Sequence, residues 1–233
     1  LIYIISRTIM SSSKRARKAS TSNPVEFGFK DVKPLNYIQG VYLEAIRNND
    51  VIFGIGSAGT GKTYIAASYA AGELFHRRIR KIIITRPNVE TGRGLGFLPG
   101  DLSEKFAPYL QPFEQIFCKS LGKGFYEYAL KTGDIDPKPL GFMRGSTFED
   151  AIVLIDECQQ MTKEEFHMIL SRIGRNCKVI LSGDPCQSDI SNSGLNDAVR
   201  RLSGIGGVEV VTFLDEDIVR SKMCKAVIMA YRN

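Results

Sequence analysis

Two adjacent carboxylates, Asp156 and Glu157, follow directly on the apolar run Ala151–Ile155. Five consecutive apolar residues that end at charged ones are typical of a strand buried on both faces of a parallel sheet. Carboxylates at the tip of such a strand cost desolvation free energy unless a cation or a reaction needs them. The pair therefore predicts a metal or catalytic site at the carboxyl end of this strand.

A glycine-rich segment, GSAGTGKT at residues 56–63, fits the pattern G-x-x-x-x-G-K-[ST]. It follows a predicted strand over residues 51–56 and opens a predicted helix over residues 61–75, which is the context that a phosphate loop requires. Its glycines let backbone N–H groups turn toward phosphate oxygens, and the helix N-terminus adds positive potential. The expected nucleotide contacts are Gly56, Ser57, Ala58, Gly59, Thr60, Gly61, Lys62 and Thr63.

The residue types in these two segments predict ATP hydrolysis with Mg²⁺. Lys62 is expected to contact the β- and γ-phosphates, while the Thr63 hydroxyl and the Asp156 carboxylate serve the Mg²⁺ ion. Glu157 is placed to polarise a water molecule for attack on the γ-phosphate. The alternative is that Glu157 only caps the next helix.

The elements that must position these residues follow from periodicity. Strands are predicted at 51–56, 81–85, 151–155, 178–182 and 208–213, and helices at 36–50, 61–75, 162–173, 194–203 and 215–231. Their alternation predicts a parallel sheet with helices on both faces. Residues 102–121 are predicted to form a helix broken at Pro108 and Pro112. Residues 86–100 are predicted to form a loop, and most of 118–147 carries no readable pattern.

Five segments together carry a family resemblance: GSAGTGKTY, TRPNVETGRGLGFLPGD, LIDECQQMT, SRIGRNCKVILSGDPCQSDI and DIVRS. The chain resembles the PhoH-like family, ATPases related to the core of superfamily 1 helicases, over roughly residues 36–230. The resemblance implies an α/β, RecA-like P-loop NTPase fold. It also implies ATP and Mg²⁺ as cofactors, in one domain over residues 26–233 that follows a disordered basic tail over residues 1–25.

The resemblance implies roles for three further residues. Gln39 lies where such ATPases carry a glutamine that reads adenine, and the alternative is an ordinary surface glutamine. Gln187 would contact the γ-phosphate or the attacking water, whereas Asp184 in the same loop is expected to hold the backbone. Arg220 would reach the γ-phosphate as an arginine finger, although Ser221 replaces the histidine that usually follows it.

A nucleic-acid partner, RNA or single-stranded DNA, is also implied by the resemblance. Thr85 and Arg86 would contact its backbone, Arg93 a further phosphate, and Phe97 a base by stacking. The alternative is that this loop closes over the ATP site or packs in a subunit interface. Because the chain has room for one ATPase core only, Arg220 is predicted to act on a neighbour's ATP, in a head-to-tail homo-oligomer or ring.

Composition limits the other possibilities. Five of the basic residues behind the net charge of +6 lie in the first 23 residues, which contain no acid, so any nucleic-acid surface of the body is local and the tail could add to it. The five cysteines are scattered, which predicts reduced thiols and a cytoplasmic protein. The apolar run at the N-terminus is too short to span a membrane.

Two other functions use the same phosphate loop. A small-molecule kinase is disfavoured because the D-E-x-Q segment at 156–159 and the Gln187 loop serve water attack. A nucleotide-dependent binding switch with little turnover stays open. A GTPase is disfavoured because the chain lacks an N-K-x-D guanine signature.

Overall fold

The computed structural model describes residues 29–87 and 102–230, with the backbone alone for 102–109. In this part of the chain six strands form one sheet, in the order β3-β2-β4-β5-β1-β6, and every neighbouring pair is parallel. The strands are β1 Val51–Gly56, β2 Lys81–Thr85, β3 Ile135–Pro137, β4 Ala151–Ile155, β5 Cys177–Gly183 and β6 Val208–Phe213. The helices are α1 Tyr37–Asn48, α2 Lys62–Phe75, α3 Leu102–Leu121, α4 Lys123–Thr132, α5 Lys163–Leu170, α6 Leu195–Leu202 and α7 Lys222–Ala230.

Helices cover both faces of the sheet, so the predicted α/β, RecA-like class is confirmed. Successive residues of β4 point to opposite faces, and all five are buried. Ile152 and Leu154 pack in a core with α1, α2, α3 and α4, whereas Val153 and Ile155 pack in a second core with α5 and α6. A strand that serves two cores must be apolar throughout, which explains the uninterrupted run in the sequence.

The order of the strands brings the predicted functional segments to one edge of the sheet. The last residue of β4, Ile155, lies between Thr85 of β2 and Leu181 of β5. On the other side of β5, Gly183 pairs with Ile55 of β1. Parallel strands share the direction of their carboxyl ends, so the segments that follow β1, β2, β4 and β5 emerge side by side.

Helix α3 corrects the prediction of breaks at Pro108 and Pro112, because it runs without interruption from Leu102 to Leu121. Each proline removes one N–H donor from the helix. The helix nevertheless buries Phe113 and Phe117 in the core beside α2, and this packing outweighs two missing hydrogen bonds.

Two other segments differ from the sequence prediction. Most of residues 118–147, which showed no pattern, form α4, the short edge strand β3 and a 3₁₀ turn at Leu140–Met143. The last helix does not begin at residue 215. A 3₁₀ turn at Asp215–Asp217 comes first, and α7 starts only at Lys222, because the Val219 N–H donates to the carbonyl of Gly59 in the phosphate loop.

In the described ranges, no helix combines the length and the apolar character that crossing a membrane requires.

Candidate nucleotide-binding site

The phosphate loop joins β1 to α2, as predicted, and its glycines are needed for conformation and space. Gly56, Gly59 and Gly61 have φ angles of 127°, 78° and 88°, a region that side-chain-bearing residues rarely adopt. A Cβ atom on Gly56 would lie 1.9 Å from the carbonyl oxygen of Phe213, because β6 pairs with β1 at this point. The turn therefore requires glycine at this position.

The loop is braced from within. Thr60 is fully buried, and its hydroxyl donates to the Ser57 carbonyl oxygen over 2.9 Å. The Ser57 hydroxyl donates to the carboxylate of Asp215, which follows β6. The predicted contacts Ser57, Ala58 and Thr60 thus belong to a preformed loop, which lowers the entropic cost of binding a phosphate group.

Lys62 lies inside this loop. Its ammonium group donates to the carbonyl oxygens of Gly56 and Ser57, both over 2.7 Å. Burial lowers the Lys62 pKa, and the carboxylates of Asp184 and Asp156 act in the opposite direction. The side chain is a buried cation at the wall of the cleft, as a phosphate-binding lysine must be.

Thr63 and Asp156 form the pair expected at a magnesium site. The Thr63 hydroxyl donates to Oδ1 of Asp156 over 3.0 Å. Burial raises the Asp156 pKa and the neighbouring Glu157 adds to the rise, whereas the Arg86 charge and the Thr63 hydrogen bond oppose it. No group of three or more His, Cys, Asp or Glu side chains suited to a metal occurs in the described residues. One hydroxyl and one carboxylate fit Mg²⁺, which takes most of its ligands from water and phosphates.

Glu157 points into the cleft and is held at both carboxylate oxygens. Arg86 donates to Oε1 over 2.9 Å, and Gln159 donates to Oε2 over 2.6 Å. The alternative reading of Glu157 as a helix cap is not supported, because α5 is capped by Thr162 in a capping box with Glu165. The backbone of Glu157 is left-handed, with φ of 55°, an unusual conformation for a residue with a side chain.

The loop after β5 lies against the phosphate loop. One carboxylate oxygen of Asp184 accepts from the Ala58 N–H over 3.2 Å and the other from the Cys186 N–H over 3.1 Å, in line with its expected structural role. Gln187 is exposed and lines the cleft. Its contact with the γ-phosphate or water stays a prediction.

Arg220 corrects the prediction that its finger reaches a neighbour's ATP. A Cβ atom on Gly59 would lie 3.0 Å from Cγ of Arg220, so this side chain lies over the phosphate loop of its own chain. The physical reason is the pairing of β6 with β1, which returns the chain to the phosphate loop at the end of β6. Arg220 therefore provides no reason for a second subunit.

Gln39 also differs from its prediction as a reader of adenine. Its side chain is 1 % exposed, its amide nitrogen donates to the Thr60 carbonyl over 2.8 Å, and its amide oxygen accepts from the Leu35 N–H over 2.8 Å. A Cβ atom on Gly61 would lie 2.7 Å from the same amide nitrogen. In this structure Gln39 holds the outside of the phosphate loop.

Replacing Gln39 with Leu is therefore expected to weaken ADP and GDP binding by the same factor and to destabilise the fold by about 1–3 kcal/mol, because two buried backbone groups lose their partners. Calorimetric titration with both nucleotides and thermal unfolding measure this. Gln111→Leu, on the exposed side of α3, is the control. A loss confined to ADP would restore the adenine-reading role.

The proposed nucleic-acid contacts are only partly described. Thr85 is 0 % exposed, so the structure does not support a contact of its hydroxyl with nucleic acid. Arg86 is partly exposed but paired with Glu157. Arg93, Phe97 and the basic tail lie outside the described residues.

All these groups surround a cleft of about 420 Å³. Its far wall comes from α2 and α3, through Tyr64, Pro112, Gln115 and Ile116, which the sequence did not identify. Pro112 offered the one available signal, since a proline inside a helix often marks a functional position. A larger cavity of about 570 Å³ lies between α5 and α6, away from the phosphate loop.

The chain was compared with known proteins. The family profile described as "PhoH-like protein" matches residues 31–232. Protein PhoH of Escherichia coli strain K12 is 42% identical over 210 residues, which cover 87% of this chain and 59% of that protein. The PhoH-like protein of Bacillus subtilis strain 168 is 42% identical over 205 residues, which cover 87% of this chain and 64% of that protein.

The chain spans about three fifths of the length of these curated relatives. Among solved structures, the large terminase from a thermophilic bacteriophage is 13% identical with a TM-score of 0.49, covering 82% of this chain and 48% of that one, which supports no statement about function. The sequence matches and the phosphate loop agree with each other: the chain belongs to the PhoH-like protein family.

Proposed function

We propose that this chain binds ATP and hydrolyses it in an Mg²⁺-dependent reaction. The observation that carries the proposal is the contact between Thr63 and Asp156 at the mouth of the phosphate loop, with Glu157 beside it. A hydroxyl, a metal-binding carboxylate and a second carboxylate at this point are the parts that attack by water on a γ-phosphate requires.

In the proposed reaction, Lys62 and the N–H groups of the loop bind the phosphates, and Thr63 and Asp156 hold the Mg²⁺ ion. When bound, the ion offsets charge on the β- and γ-phosphates. Glu157 accepts a proton from the attacking water, whose oxygen bonds to the γ-phosphorus while the bond to the bridging oxygen of ADP breaks. Gln187 and Arg220 line the same cleft and are proposed to contact the γ-phosphate or the water.

The binding switch with little turnover remains a second candidate, and one observation favours it. Both oxygens of Glu157 already accept hydrogen bonds, so in this conformation the carboxylate is poorly placed to take a proton. Turnover requires that one of these bonds be released. Arg86 is the more exposed of the two donors and the one implicated in nucleic-acid contact.

We therefore propose RNA or single-stranded DNA as the partner that competes for Arg86, with Arg93, Phe97 and the basic tail as further contacts. A backbone phosphate would bind the guanidinium as a bidentate partner and free Oε1 of Glu157. A cytoplasmic location agrees with the five unpaired cysteines, all of which lie in described parts of the chain. A homo-oligomer stays a proposal that sedimentation with ATP would test.

Steady-state phosphate release with Mg²⁺, with EDTA, and with or without a single-stranded oligonucleotide tests the function. We expect turnover that needs Mg²⁺ and rises with RNA or single-stranded DNA. Turnover that is indifferent to nucleic acid would leave the ATPase and remove the nucleic-acid partner. ATP binding without any turnover would establish the switch instead.

A further inference from the structure

A series of hydrogen bonds connects the phosphate loop to Glu157. The Ala58 N–H donates to the Asp184 carboxylate over 3.2 Å, and the Asp184 N–H donates to the side-chain oxygen of Gln159 over 3.1 Å. The side-chain nitrogen of Gln159 then donates to Oε2 of Glu157 over 2.6 Å. We call these four residues, Ala58, Asp184, Gln159 and Glu157, the Gln159 relay.

The centre of the relay is buried and tightly packed. Gln159 is 1 % exposed and Asp184 4 % exposed, so water does not compete for their hydrogen bonds. A Cβ atom on Gly183 would lie 2.7 Å from the side-chain oxygen of Gln159. Gly183 at the end of β5 therefore provides the space in which the Gln159 amide sits, and the amide has little freedom to turn.

The first bond of the relay uses a group that a nucleotide needs. Ala58 lies in the phosphate loop, whose N–H groups are the proposed phosphate donors, and in this structure its N–H is given to the Asp184 carboxylate. A phosphate group entering the loop carries negative charge and repels that carboxylate at short range. Any displacement of Asp184 acts on Gln159 through the Asp184 N–H, and on Glu157 through the Gln159 amide.

We propose that Gln159 is a positioning residue that aligns the Glu157 carboxylate according to whether the phosphate loop is filled. The proposal rests on the proposed hydrolysis and assigns a task to the glutamine of the D-E-x-Q segment. Gln159 touches neither phosphate nor water in this scheme, because its two amide ends are taken by Asp184 and Glu157.

The next residue, Gln160, provides a matched comparison. Its side-chain nitrogen donates to the Gln187 carbonyl over 3.0 Å and to the Asp189 carboxylate over 2.8 Å, and its side-chain oxygen accepts from the Asp189 N–H over 3.0 Å. It is a buried glutamine in the same turn that holds the same loop but makes no hydrogen bond to Glu157.

The test measures kcat and KM for ATP and the Kd for ADP in Gln159→Ala, Gln159→Glu and Gln160→Ala, with the wild type and Glu157→Gln alongside. We expect Gln159→Ala to lower kcat on the order of 10- to 100-fold with little change in KM or ADP Kd, the effect of losing a hydrogen bond to a charged group. Gln160→Ala should lose less kcat. Gln159→Glu keeps an acceptor for Asp184 but faces Glu157 with a like charge, so its kcat should also fall while the fold is kept.

Three outcomes overturn the relay. The relay alone is wrong if Glu157→Gln abolishes turnover while Gln159→Ala and Gln159→Glu keep wild-type kcat. Equal losses of kcat and ADP affinity in a fold that melts at lower temperature would show a purely structural role for Gln159. Absent turnover in the wild type, or full turnover in Glu157→Gln, would overturn the proposed hydrolysis and the relay together.

Discussion

Replacing Glu157 with Gln is expected to lower ATP turnover by about 10²–10⁴-fold while ADP still binds, because an amide cannot accept the proton of the attacking water. The carboxylate lies beside Asp156 in the cleft that the phosphate loop lines. Steady-state phosphate release and calorimetric titration with ADP measure the two quantities on the same preparation.

The control for Glu157→Gln must separate proton acceptance from the loss of an ion pair. Arg86→Ala removes the same 2.9 Å ion pair but keeps the carboxylate. Glu164→Gln, on the exposed face of α5, removes one negative charge away from the phosphate loop. If Glu157→Gln and Arg86→Ala lose turnover equally, the ion pair rather than the proton acceptor explains the effect. If Glu157→Gln keeps full turnover, Glu157 is not the base.

Lys62→Ala is expected to weaken ADP binding by about 10- to 100-fold and to abolish measurable turnover, since the loop loses the ammonium group that contacts the phosphates. The fold should change little in stability. The substitution removes a buried cation whose pKa is lowered by burial, but it also leaves the carbonyl oxygens of Gly56 and Ser57 without that donor, and these effects oppose each other.

Lys178→Ala is the matched control for Lys62→Ala. Lys178 is also partly buried, with a pKa lowered by burial, and its ammonium group also donates to a backbone carbonyl, that of Asn49. It lies at the amino end of β5, at the opposite edge of the sheet from the phosphate loop. Equal ADP affinity in Lys62→Ala and the wild type would contradict the assignment of Lys62 as a phosphate contact.

The local pattern of residues was enough to predict much of the fold. The apolar run Ala151–Ile155 and the glycines of residues 56–63 were interpreted correctly, because strand burial and backbone conformation depend on the residues in the segment itself. The failures at Pro108 and Pro112 have the opposite cause. Helix α3 keeps its helical backbone through contacts with α2, which lies far from it in sequence.

The sequence by itself determined which chemical groups are present: a phosphate loop with Lys62 and Thr63, and the adjacent carboxylates Asp156 and Glu157. The tertiary structure decided what each group contacts. Sheet order places β6 beside β1, which brings Arg220 over its own phosphate loop, and Gln39 turns its amide to that loop from outside.

The same principle governs Glu157. Arg86 and Gln159 reach it because β2 and β5 flank β4, an order unlike the order of the strands along the chain. Hydrogen bonds between side chains depend on distances of a few ångströms across neighbouring strands, and residue spacing in the sequence does not encode those distances.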